Sequence, residues 1–317
     1  MARSADTEQH HLTRRNVLKG AVALAGASSF GITPSFAAKQ STITIGDVKL
    51  TTISDGHLNL PSTMAAPKVE EQLRAAAFKK AGQSGATVRS PLNVTLIEAG
   101  KEKIMVDVGS GPHFMGSAGK LAENMENAGI DAESITKVIY THAHPDHVWG
   151  TVNDFDELSF PNAAYYISEA EWNFWMATDV LSKLPKERHG FAVGAQRNLK
   201  AAKDKLTTIK PGVELVPGVN VIDTSGHTPG HISLEIGSGK DLAIVLGDAL
   251  THPVISFEHP EWQPAVDQEP DRAVNMRKNL LSKLANEKHR VVGYHLPEPG
   301  IGQVAKSGTG FKYEPLK

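Results

Sequence analysis

The decapeptide T-H-A-H-P-D-H-V-W-G at residues 141–150 constrains this chain more than any other stretch. It sets His142, His144, Asp146 and His147 within six residues, directly after the apolar, β-branched run V-I-Y-T at 138–141. Such a run reads as a buried strand, and the charged residues after it as a loop at the strand end. On an extended chain, alternation points His142 and His144 to the same side, and the turn begun by Pro145 carries Asp146 and His147 towards a neighbouring point. Two points with two ligands each suit two metal ions. A solvated loop rarely collects three His and one Asp at such a place, so the remaining ligands are sought further along the chain.

They lie past three later strands. S-G-H-T-P-G-H at 225–231 follows the run 219–224 and brings His227 and His231. Asp248 follows the apolar run 242–246, and His295 follows 290–294. Taken singly, a His or Asp at a strand end is usually a turn or cap residue. Four ligand-bearing strand ends in one chain build a site along one edge of a β-core. The chain has no cysteine, so its metals must be held by His, Asp or Glu.

The rest of the chain reads as one domain. Alternation and turn residues predict a hairpin over 41–53 turning at Gly46-Asp47, and strands at 93–98, 103–108, 135–141, 163–167, 219–224, 232–236, 242–246 and 290–294, the last of the chain. Helices are predicted over 69–81, from 117 to a stop at Gly129, from the capping box Ser168-Glu169-Ala170-Glu171, and from Glu269-Pro270. In the last of these Val274, Leu280, Leu281 and Leu284 form the buried stripe. Neither repeats nor an internal linker interrupt this pattern.

Residues 1–37 stand apart. Arg14-Arg15, a weakly apolar stretch over 20–30 and the small-residue site Ser35-Phe36-Ala37 have the layout of a twin-arginine signal peptide, leaving one domain at 38–317. The expected location is the bacterial periplasm. The apolar stretch is too short for a permanent membrane anchor. Of 33 basic and 35 acidic residues, 29 and 33 remain without that segment, a net charge of −4 that speaks against nucleic acid or anionic membrane as partner.

With H-A-H-P-D-H, G-H-T-P-G-H, the Gly247-Asp248 pair and the strand-end His295 in place, the chain resembles the metallo-β-lactamase superfamily. The resemblance implies an αββα sandwich: two mixed β-sheets face to face, with helices outside. It implies that His142, His144 and His227 hold one divalent metal, that Asp146, His147 and His295 hold a second, and that Asp248 bridges them. It makes His231 a hydrogen-bonding neighbour of the site rather than a ligand, and suggests the same for His252. Zinc is the expected metal, with manganese, iron or cobalt suited to the same ligands.

Within the superfamily the chain looks most like the exported branch that contains methyl parathion hydrolase and related lactonases and aryl esterases. T-I-S-D-G at 52–56, F-P-N-A at 160–163, Phe174-Trp175, Gly190-Phe191 and H-L-P-E-P-G-I-G at 295–302 carry that likeness. It implies an aromatic-lined substrate pocket with Phe114, Trp175 and Phe191 in its wall, and dimerisation. Two residues depart from the branch pattern. Trp149 stands where a small residue is usual and is expected to narrow the pocket beside the metals; Glu298 replaces an aromatic and changes the charge of the rim.

The expected function is hydrolysis of a lactone or aryl ester, with Asp146 and Asp248 as catalytic residues and a hydroxide generated from a metal-acidified water as nucleophile. Phosphotriester hydrolysis is the alternative within the same chemistry, and an inert periplasmic metal-binding protein the alternative of another class. A flavin-linked di-iron role is disfavoured because that group carries Glu where His144 stands.

Overall fold

The computed structural model describes residues 40–316; the proposed signal peptide lies outside them. Fourteen strands form two sheets of seven. The first contains β1 (Ser41–Ile45), β2 (Val48–Pro61), β3 (Thr87–Ala99), β4 (Glu102–Val106), β5 (Lys137–Tyr140), β6 (Ala164–Ser168) and β7 (Leu206–Ile209), in that spatial order. The second contains β8 (Glu214–Val216), β9 (Val219–Asp223), β10 (Ile232–Ser238), β11 (Asp241–Val245), β12 (Arg290–Val292), β13 (Ile301–Ser307) and β14 (Gly310–Pro315). In the first sheet β1 to β4 pair antiparallel and β4 to β7 parallel; in the second only β11 and β12 run parallel. Among the described residues eight α-helices accompany them: α1 (Ser62–Ala65), α2 (Glu71–Lys80), α3 (Leu121–Asn127), α4 (Pro145–Val148), α5 (Glu169–Trp175), α6 (His189–Ala201), α7 (Ile255–Glu258) and α8 (Pro270–Glu287).

Three apolar cores show how the layers stack. Leu50, Ile97, Ile104 and Ile139 of the first sheet meet Val221, Leu234, Val245 and Val292 of the second, which fixes the two sheets face to face. On the far side of the first sheet Met105, Val138 and Tyr165 pack with Leu121, Met125, Trp175, Ala195 and Leu199 from α3, α5 and α6. On the far side of the second, Leu242, Ile244 and Val291 pack with Phe257, Leu280, Leu281 and Leu284 from α7 and α8. The fold is an αββα sandwich. Its strands follow the alternation rule: each central strand is apolar on both faces because both are covered.

Several sequence expectations shift. β2 does not stop near Ile53; it passes a bulge between Ser54 and His57 and runs to Pro61, paired with the start of β3. That extension reaches over the site and supplies one cavity wall. The strand at 290–294 is not the last, because β13 and β14 follow and complete the second sheet's edge. In α8, Val274 is only half-buried, whereas Ala273 and Arg277 turn inward. A buried arginine on an apolar stripe has a purpose at the metal centre, described next.

Candidate metal centre

Strand ends deliver every candidate ligand to one spot. β5 leads into His142 and His144, and α4 turns Asp146 and His147 back beneath them. Loops after β9, β11 and β12 bring His227, Asp248 and His295. The side chains gather into two groups, His142 with His144, His227 and Asp248, and Asp146 with His147 and His295, each within 4.8 Å atom to atom. All seven are buried. Asp248 faces both groups: Oδ2 lies 3.3 Å from His227 Nε2 and 3.3 Å from His295 Nε2, and Oδ1 lies 3.2 Å from His147 Nε2.

The hydrogen bonds around the imidazoles decide what the inner atoms present. His142 Nδ1 donates to Thr141 Oγ1 (3.1 Å), His147 Nδ1 to Asp107 Oδ2 (2.8 Å), His227 Nδ1 to Asp267 Oδ1 (2.9 Å) and His295 Nδ1 to the Pro91 carbonyl (2.9 Å). Each of these rings therefore turns an Nε2 lone pair inward. His144 is reversed: its Nδ1 faces His142 Nε2 at 3.0 Å and His227 Nε2 at 2.9 Å. His144 Nδ1 carries at most one proton, so it cannot satisfy both of these nitrogens by hydrogen bonding. Asp146 Oδ2, Asp248 Oδ1 and His147 Nε2 are likewise buried without a hydrogen-bond partner among the described residues. A cation bound tetrahedrally at about 2.0–2.1 Å holds its donors about 3.4 Å apart. The residues present fit two such ions.

Electrostatics points the same way. Burial and neighbouring imidazoles hold His142 and His144 well below the usual histidine range. Burial also opposes charge on His295, yet Asp248 and Asp146 outweigh it and lift its pKa to about 10. His147 is raised by the same two carboxylates and Asp107. A site that draws protons onto buried imidazoles draws positive charge in general, and divalent ions supply it without protons.

The supporting residues include several that motif reading did not single out. Asp107 sits at a left-handed φ of 64° just past β4, and its carboxylate accepts from Thr141 N (2.7 Å), Thr141 Oγ1 (2.8 Å) and His147 Nδ1. Asp267 is clamped between His227 and Arg277, whose Nη2 donates at 2.8 Å; this is the work of the inward arginine on α8. Asp55, from T-I-S-D-G, accepts from Ser110 N (2.8 Å) and Leu121 N (2.9 Å), fixing the loop after β4. Nothing in the spacing of these acids distinguishes them from surface carboxylates. Asp107 lies just past β4, Asp55 beside the bulge within β2 and Asp267 between α7 and α8, so no shared local signal marks them. His231 is a ligand to neither group: its Nε2 accepts from Asp248 N (2.9 Å) and its Nδ1 donates to Thr224 Oγ1 (2.8 Å).

A cavity of about 110 Å³ opens above the groups. His144, Asp146, His227, Asp248 and His295 form its floor, and Leu58, Leu60, Val88, Phe114, Phe191 and Ile255 part of its wall. Phe114 and Phe191 thus stand in the wall. Trp175 does not: it is fully buried behind His144, ring centroids 5.9 Å apart, with its indole N–H on Glu171. Trp149 also misses the wall. Its ring stands behind Phe114 (5.2 Å) and fills the space left by Gly194 on α6, where a Cβ would fall inside the indole. Contrary to the expectation from sequence, Trp149 does not narrow the cavity directly; it meets the wall only through Phe114. His252 lines the cavity, with Nδ1 accepting from Val254 N (3.2 Å) and Ile255 N (3.0 Å) and the ring edge-on to Phe78. At the mouth Glu298 pairs with Arg89 (3.0 Å), which offsets the rim charge expected from that substitution.

This arrangement can be set against known proteins. The sequence profile of the metallo-beta-lactamase superfamily matches residues 88–292, from β3 to the end of β12. The chain belongs to the metallo-beta-lactamase superfamily. Among superfamily structures it is similar to AidC, described as a dizinc quorum-quenching lactonase, at 29% identity over 89% of this chain and 98% of that one, with a TM-score of 0.83. It is similar to the hydrolase AbOPH at 29% identity, 88% and 98% coverage, and a TM-score of 0.82. By sequence it is 28% identical to metallo-beta-lactamase domain-containing protein 1 of Xenopus laevis, over 60% of this chain and 65% of that protein. It is 25% identical to an N-acyl homoserine lactonase of a Bacillus species, over 53% and 59%. The chain thus spans about three fifths of the length of these two curated relatives.

Proposed function

We propose that this chain is a metal-dependent hydrolase that opens a lactone or aryl ester. The observation that carries the proposal is the pair of ligand groups sharing Asp248 at the floor of a small, apolar cavity. His142, His144 and His227 would hold one ion, Asp146, His147 and His295 the other, and Asp248 both. Zinc is the proposed metal, in keeping with the dizinc description of AidC. When bound, the ions supply Lewis acidity towards the substrate's carbonyl oxygen and bring a water near neutral pKa.

The chain's own residues do the rest. Phe114 and Phe191 exclude bulk water and hold the apolar part of the substrate against the floor. Asp146 directs Oδ2 to His147 and His295, at 3.5 and 3.3 Å. Asp146, on the cavity floor, is assigned to accept the proton released as water oxygen bonds to the carbonyl carbon, and to return it to the ring or ester oxygen when that C–O bond breaks. A planar carbonyl with an apolar chain suits a cavity of about 110 Å³. A phosphotriester must fit three substituents around a tetrahedral centre, so that reading stands second. Its support is the motif likeness to the branch containing methyl parathion hydrolase, to which we assign the chain.

The leading reading carries the location with it: export by the twin-arginine pathway to the periplasm, with a homodimer as the assembled form. Among the described residues no helix is long and apolar enough to cross a membrane. An inert metal-binding role would leave the apolar cavity above the ligands without use. The test is kcat/KM of the zinc-loaded protein on an aromatic lactone, an aryl ester and a dimethyl aryl phosphotriester. A preference of about 100-fold for lactone or ester, worth about 3 kcal/mol in transition-state binding, is expected. The reverse preference would replace the leading reading with the second, and no turnover of any of the three would favour the inert one.

A further inference from the structure

The carboxylate of Glu171 belongs to neither ligand group and does not line the cavity. From sequence it belongs to the capping box of α5, where its side chain would reach back to the backbone of Ser168. Only half of that box forms. Ser168 Oγ accepts from Glu171 N (3.2 Å), but the Glu171 carboxylate turns the other way, into the protein, and is fully buried. There it accepts four hydrogen bonds. Oε1 takes Ala143 N (2.9 Å) and Trp175 Nε1 (2.6 Å); Oε2 takes Thr228 Oγ1 (2.7 Å) and Gly230 N (3.0 Å).

The placing of those donors is the point. Ala143 lies between His142 and His144, and Thr228 and Gly230 lie between His227 and His231. One carboxylate therefore ties the loop after β5 to the loop after β9, which together supply the three histidines of the first group. Ser168 Oγ adds a bond to the Gly230 carbonyl (2.6 Å), and a Cβ at residue 230 would overlap the Glu171 backbone, so the second loop is pressed directly onto the start of α5. No comparable contact from Glu171 reaches Asp146, His147 or His295.

We infer that Glu171 is a positioning residue that sets the register of the two histidine loops, and so the affinity of the first metal group alone. The inference rests on the metal reading above. Supporting residues of this kind are worth about 10- to 100-fold in metal affinity. Glutamine at this position keeps the shape but presents an NH₂ group to donors, so it cannot satisfy all four.

The test isolates each group. In a His147→Ala background the first group remains with Asp248, and in a His144→Ala background the second does. Zinc affinity is measured in both by competition with a chromophoric chelator, with and without Glu171→Gln. The expected result is a 10- to 100-fold weaker Kd in the first background and a change under about threefold in the second. Thr228→Val, which removes one of the four bonds, should shift the Kd in the same direction and background by less, and it decides the matter if Glu171→Gln does not fold. Unchanged affinity in the first background, or equal loss in both, would overturn the inference while leaving the metal reading intact. A wild-type chain that binds no zinc would overturn both.

Discussion

Around Asp248, four of the five candidate histidine ligands are oriented by an acceptor at the outer nitrogen: a threonine hydroxyl, two carboxylates and a carbonyl. Removing any of those acceptors frees a ring to rotate or change tautomer. His252 shows the opposite use of the same side chain. Its Nδ1 is an acceptor for two amides that open α7, so the ring is held neutral with the proton on Nε2. Burial lowers its pKa from 6.5 to about 4. The sign follows from linkage: above about pH 6.5 the ring is neutral folded or unfolded, and below that the unfolded chain takes up a proton that the folded chain refuses until about pH 4. His252 thus contributes stability that is present above pH 6.5 and lost as pH falls to about 4. Asparagine would keep an acceptor for the two amides without titrating. The Tm difference between wild type and His252→Asn should therefore narrow between pH 7.5 and 4.5; a constant difference would show that the ring protonates freely in the fold.

Among the elements, Trp149 and α6 fit one another. Trp149 puts a large ring against α6, which accepts it by carrying Gly194 at the contact. The pair seats α6, which bears Phe191, and backs Phe114, so both cavity phenylalanines depend on one knob and its hole. Gly194→Ala is predicted to overpack this joint, at a cost of about 1–3 kcal/mol, and to raise KM more than it lowers kcat, because α6 shifts while the ligands do not. A variant with wild-type Tm and KM would mean that α6 moves freely against Trp149. Sequence periodicity placed most strands and the ligand loops, since a buried strand and its terminal ligand are both local signals. It missed α6 as an element and the reach of β2 to Pro61, because a bulge at Ser54–His57 interrupts the alternation. It also missed Asp107, Asp267 and the true partners of Glu171. Those carboxylates meet their partners across 28 to 59 residues of chain, a relation that no local pattern records.

Across residues 40–316 the sandwich carries its candidate ligands at one edge. Two sheets joined by an apolar interface present four ligand-bearing loops, and the helices outside pack against the sheets. The sandwich and the gathering of the seven candidate ligands are legible in a handful of motifs, while the cavity's shape depends on packing that only the fold reveals, as Trp149 and Trp175 show. With no cysteine in the chain, any bound ions would take oxygen and nitrogen ligands alone. The proposed activity therefore depends on two bound ions. Elemental analysis of the purified protein, paired with lactone hydrolysis before and after removal of metal by chelation, tests this most directly. It predicts about two divalent ions per chain, turnover lost as they are removed, and turnover restored when zinc is returned. Hydrolysis that survives complete removal of the ions, or a folded chain that takes up none, would contradict it.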